Sequence, residues 1–135
     1  MRGEAWARDA AIAGAGLAGL AVLAGAFGAH ALRDRLAPGE LEVYETAARY
    51  QMYHGLALLL LSTLLARWPA RLLRAACWLF VGGTALFSGS LYAIALTGHS
   101  WLGAFTPIGG FAFLAGWACV ALGSLAPGSR PPPGN

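Results

Sequence analysis

Between Arg74 and Arg130 the chain carries no charged side chain, a stretch of 55 residues that includes LFVGGTALFSGSLYAIAL and FAFLAGWACVALGSL. A water-soluble domain does not tolerate that. A spanning helix needs about 20 mostly apolar residues, so the stretch holds two spans with a polar break at Thr97 to Ser100. Composition agrees: 58% of residues are hydrophobic and 11% charged, where a soluble domain carries about 25% charged residues. The fold class expected is all-α, one integral membrane domain.

Residues 10–32 form an earlier uncharged run, bounded by Asp9 and Arg33 and long enough to cross a bilayer. The run from His54 to Ala66 is short, but helical periodicity carries it upstream through Tyr50, Ala47 and Tyr44 toward a start at Pro38. Arg49 then lies near an interface where it can snorkel, with Glu45 one turn before it in the favourable order for an ion pair. Four spans result, at about 10–32, 46–66, 75–96 and 103–125, in an up-and-down bundle with a short helical extension before the second. Pro107 opens or kinks the last helix. Residues 126–135, rich in Pro, read as a disordered tail.

Four spans put both termini on one side with the loop bearing Arg67, Arg71 and Arg74. That side holds six Arg, counting Arg2, Arg8 and Arg130, against Arg33, Arg35 and Arg49 opposite. The positive-inside rule makes it cytoplasmic. A rival reading is a cleaved signal with Ala29-His30-Ala31 as its site; against it, the apolar run exceeds a signal's core of about 7 to 15 residues, and its glycines suggest a packed helix. Small residues recur every fourth position in Ala10, Gly14, Ala18; in Ala21, Gly25, Ala29; in Ala85, Gly89, Ala93; and in Ala115, Cys119, Gly123. Such faces let membrane helices approach closely.

Basic side chains flank apolar runs and form no clustered face, so nucleic acid is not an expected partner. Nine Arg and no Lys, with much Ala, Gly and Pro, point to a GC-rich bacterial genome. Gly14, Gly16 and Gly19 spell Gly-x-Gly-x-x-Gly, but within a spanning helix and without a preceding strand, which removes a dinucleotide reading. A Walker loop needs a Lys. Cys77 and Cys119 lie at similar depth near the cytoplasmic face and read as packing residues. Trp68 and Trp78 on one side, with Tyr53, Tyr92 and Trp101 on the other, read as interfacial belts.

Polar groups at or inside the membrane boundary need a partner or a role. His30, His54 and His99 all fall toward the outer side of this topology. Ala47, Tyr50, Gln51 and His54 share one helical stripe, and Asp34 lies one turn beyond His30, where a carboxylate fixes an imidazole tautomer. Three readings compete for His30, Tyr50, Gln51, His54, Asp34 and His99. One is a hydrogen-bonded network that fixes helix register. Another is a site for a metal, haem or quinone head group, with His30 and His54 as the candidate ligands. Against it stand the missing His-x-x-x-His and Glu-x-x-His motifs. The last is a proton or solute path in a small transporter or channel, for which the spans lack a carboxylate.

Three strings in order, Gly25-Ala26-Phe27-Gly28-Ala29-His30-Ala31-Leu32, Thr46-Ala47-Ala48-Arg49-Tyr50-Gln51-Met52-Tyr53-His54 and Thr106-Pro107-Ile108-Gly109-Gly110, together with Gly89-Ser90-Leu91-Tyr92, resemble the YgdD-like family of small membrane proteins. That family is filed as a domain of unknown function, number 423, with eukaryotic relatives called transmembrane-protein-256-like. The resemblance implies a four-helix protein of the bacterial inner (plasma) membrane and draws attention to His30, Tyr50, Gln51 and His54, while His99 lies outside the matching strings. It implies no reaction, no catalytic residue and no cofactor. The expectation is a non-enzymatic accessory or packing protein in the lipid bilayer, as a homo-oligomer or a subunit of a larger membrane complex, with ligand binding as the alternative.

Overall fold

The computed structural model describes residues 2–67 and 71–125. Trp68 and the Pro-rich tail, both given a place by sequence, lie outside them. Helix α1 covers Arg2–Phe27 and passes into a π-helical turn at Gly28–Leu32. Helix α2 covers Pro38–Arg67, α3 Arg71–Thr97 and α4 Phe105–Ser124, the last preceded by a 3-10 turn at Ser100–Ala104. Local chemistry sets these ends. Pro38 opens α2, and the Glu40 carboxylate reaches back to accept the Ala37 N–H at 2.9 Å, half of a capping box. Gly98, at φ 71°, stops α3 and donates its N–H to the Ile94 carbonyl.

The helices form two hairpins, α1 with α2 and α3 with α4, joined through α2 and α3. The backbones of α1 and α4 do not approach each other, nor do those of α2 and α4. Ala10, Leu58, Leu61, Leu65, Leu73, Ala76, Cys77 and Phe80 make the main core, with Cys119 packed against it. Leu32, Tyr44 and Ala95 form a smaller one.

Glycine faces set the spacing within each hairpin. A Cβ on Gly14 would lie 2.7 Å from the Gly55 carbonyl oxygen, and one on Gly55 would lie 2.8 Å from the Ala18 nitrogen. Across the second hairpin a Cβ on Gly116 would meet the Phe80 ring at 2.6 Å. The small-residue faces read from sequence are partly corrected. Gly14 and Ala18 do meet α2 and Ala10 is buried in the main core, but Gly25 and Gly89 face open space, with Ala29 and Ala85 exposed. On α4, Gly123 and Cys119 of the expected face do pack, Ala115 is exposed, and Gly109, Phe113 and Gly116 add contacts with α3.

Among the described residues, three helices are long and apolar enough to cross a membrane: Glu4–Leu32, Arg71–Thr97 and Ser100–Ser124. α2 does not qualify by composition, because Glu40, Glu42, Glu45 and Arg49 occupy its first half and Tyr50, Gln51, Tyr53 and His54 lower the hydropathy of the rest. The expected Glu45 to Arg49 ion pair is absent. Among the described residues an ion pair joins Arg8 to Asp9 instead, at 3.3 Å on an exposed face.

Candidate functional site

Two hydrogen bonds fix the register of α1 against α2. The Gln51 amide donates to the Leu17 carbonyl at 3.0 Å, and the Tyr44 hydroxyl donates to the Ala24 carbonyl at 3.1 Å. Gln51 also accepts from the Tyr92 hydroxyl at 3.0 Å, so one side chain of α2 ties α1 to α3. The Tyr44 and Tyr92 rings meet edge to face at 5.0 Å. Buried amides and phenols in hydrocarbon need such partners, and each bond is worth about 0.6 to 2 kcal/mol.

His54 lies in the same stripe, one turn further, and is 4% exposed. Its Nδ1 is 2.8 Å from the Tyr50 carbonyl, and its Nε2 is 3.3 Å from Trp117 Nε1. A carbonyl only accepts and an indole N–H only donates, which leaves one assignment. Nδ1 carries the proton and Nε2 offers its lone pair to Trp117 of α4. The imidazole is therefore neutral, and neither nitrogen is free for a metal. Its plane stacks on Phe113 at 3.4 Å, with Phe80 tilted against it at 5.1 Å. Another link, between α3 and α4, is the hydroxyl pair Ser90 and Thr106 at 2.6 Å. Thr84 Oγ1 and Ser88 Oγ are buried without a partner.

The other sequence candidates stand elsewhere. Tyr50 is 37% exposed, and its ring lies tilted against Phe87 with centroids 4.7 Å apart. His30, Asp34 and His99 are exposed. His30 Nδ1 donates to the Ala26 carbonyl at 2.9 Å within the π-helical region, so its tautomer is set by backbone and not by Asp34. Because Gln51 stands opposite Leu17 and Gly55 opposite Gly14, His54 and His30 are about 24 Å apart along the axis at ~1.5 Å per residue. A single ligand held by both is not built. Among the described residues no group of three His, Cys, Asp or Glu is placed to hold a metal ion.

Tyr44, Tyr92 and Trp117 belong to the network, a role the sequence does not assign to them. Sequence places Tyr92 in an interfacial belt, yet its hydroxyl points inward to Gln51. The missed signal was the polar tip of an aromatic residue inside a span, which needs a partner when buried. An apolar groove of about 420 Å³ lies apart from the network, lined by Trp6, Ala10, Ala13, Leu58, Cys77 and Trp78, with Asp9 the charged side chain along it. Its lining suits a hydrocarbon chain.

The family model described as "Protein of unknown function (DUF423)" matches residues 24–110. A "UPF0382 membrane protein" of Staphylococcus epidermidis is 46% identical over 114 residues, covering 84% of this chain and 93% of that one. The "UPF0382 membrane protein YwdK" of Bacillus subtilis is 41% identical over 107 residues, covering 78% and 87%. The "UPF0382 inner membrane protein YgdD" of Escherichia coli K12 is 41% identical over 111 residues, covering 77% and 79%. No solved structure matches the chain.

Proposed function

The chain belongs to the DUF423 family of membrane proteins, and we propose from that premise that it is a four-span, non-enzymatic packing or accessory protein of the bacterial inner membrane. Its termini are cytoplasmic, and it works as a subunit of a homo-oligomer or a larger complex. The observation that carries this reading is the closure of the polar network. Gln51 and His54, both inside the bundle, use their donors and acceptors on neighbouring helices or on their own backbone. α2 runs antiparallel beside α1 from the level of Ala24 to that of Gly14, which supports a span despite its polar half. The Arg excess beside the termini supports the orientation.

A ligand-binding role falls to His30, whose exposed Nε2 makes no hydrogen bond among the described residues. Metal analysis and an absorption spectrum on protein purified in mild detergent, with His30→Ala and His54→Ala beside wild type, separate the readings. The expected result is no stoichiometric metal or chromophore in any of the three. His54→Ala should lose about 3 kcal/mol of stability, as truncation of a packed ring does, and His30→Ala should lose little. A metal or chromophore present in wild type and lost in His54→Ala would refute the network reading, and one lost in His30→Ala alone would move the site to the π-helical end.

A further inference from the structure

We propose that the outward stripe of α2 is the contact between two copies of this chain, with Glu45 of each protomer paired to Arg49 of the partner subunit. The inference rests on α2 crossing the membrane, as proposed above, and goes beyond it by naming the surface and its occupant. Glu42, Glu45 and Arg49 are exposed on one face of α2, and Tyr53, Leu56 and Leu60 continue that stripe at 51%, 52% and 55% exposure. The spacing of three and four residues is that of a helix presenting one side to another helix.

Depth makes this stripe unusual. Gln51 bonds to Leu17 and Tyr44 to Ala24, so Arg49 stands opposite the middle of the uncharged run of α1 at residues 10–32. The nearer end of that run is nine residues away, about 14 Å at ~1.5 Å per residue. A charge there is costly unless paired, and among the described residues Arg49 has no ion pair. The stripe nevertheless carries its own complement. An anionic lipid headgroup would suit Arg49 but be repelled by Glu42 and Glu45, whereas a second copy supplies both signs. Two copies in one membrane run parallel about a two-fold axis along its normal. Glu45 and the partner's Arg49 are then offset by one turn, about 6 Å, the kind of stagger that flanking ion pairs bridge in parallel coiled coils. Symmetry makes the pair twice.

Two differently tagged copies expressed together in native membranes provide the test, read as the fraction of one recovered with the other. Wild-type copies should co-purify. Glu45→Arg alone, or Arg49→Glu alone, places like charges across the axis and should lower recovery about tenfold, the order of one interhelical polar interaction. Co-expressing the Glu45→Arg chain with the Arg49→Glu chain restores both cross pairs and should return recovery to the wild-type level, which also shows that each variant folds. Wild-type copies that do not associate, or single reversals that associate as wild type does, would overturn the proposal. Cysteines placed at 45 and 49, with Cys77 and Cys119 replaced, separate the premise from the inference. Labelling by a membrane-impermeant maleimide as fast as at Asp34→Cys removes the span and the dimer together, while protection without association removes only the dimer.

Discussion

His54 has two ring nitrogens, and the fold engages both, one on its own backbone at Tyr50 and one on Trp117 of a helix 63 positions away. The geometry sets the tautomer. Nitrogen NMR on histidine-labelled protein in detergent should show a neutral ring with Nδ1 protonated and Nε2 bare. In Trp117→Phe the Nε2 resonance should move toward that of an unbonded nitrogen while Nδ1 stays in place. The stripe Tyr50, Gln51 and His54 was legible in the sequence, because polar residues at helical spacing inside an apolar segment have few roles. Its partners were not legible. Trp117 and Tyr92 resemble any aromatic residue near a helix end until the neighbouring helix is in place, and His30 resembled a second ligand until the register put it at the other end of α1.

At the scale of the element, the same sequence pattern has two outcomes. Gly14 and Gly55 lie at a crossing where each backbone touches the other, while Gly16, Gly19 and Gly25 face open space. Gly55→Leu should therefore lower the unfolding temperature in detergent, by a loss on the order of 1 to 3 kcal/mol from overpacking, and Gly16→Leu should leave it within about 0.5 kcal/mol. Equal effects at the two positions would contradict the packing of α1 on α2. Helix number, the start at Pro38 and the polar break after Thr97 were readable because charge, Pro and Gly punctuate the chain. Which small-residue face packs was not, since an Ala- and Gly-rich helix offers several and only the partner's shape selects one.

For the whole molecule, the question is what holds two hairpins together in a solvent as apolar as their own side chains. The backbones of α2 and α4 stay apart, so His54, Phe113 and Trp117 carry that contact through side chains. Gln51 extends the tie to α1 and α3. On this account the interior polar groups are joints between helices. The measurement that tests the claim most directly is a double-mutant cycle on unfolding in detergent with His54→Phe, Trp117→Phe and the pair. The account predicts a coupling of about 1 kcal/mol, the two single losses exceeding the paired loss by that amount. Strict additivity would mean that His54 and Trp117 do not join α2 to α4, and the reading of the network as structural would fall with it.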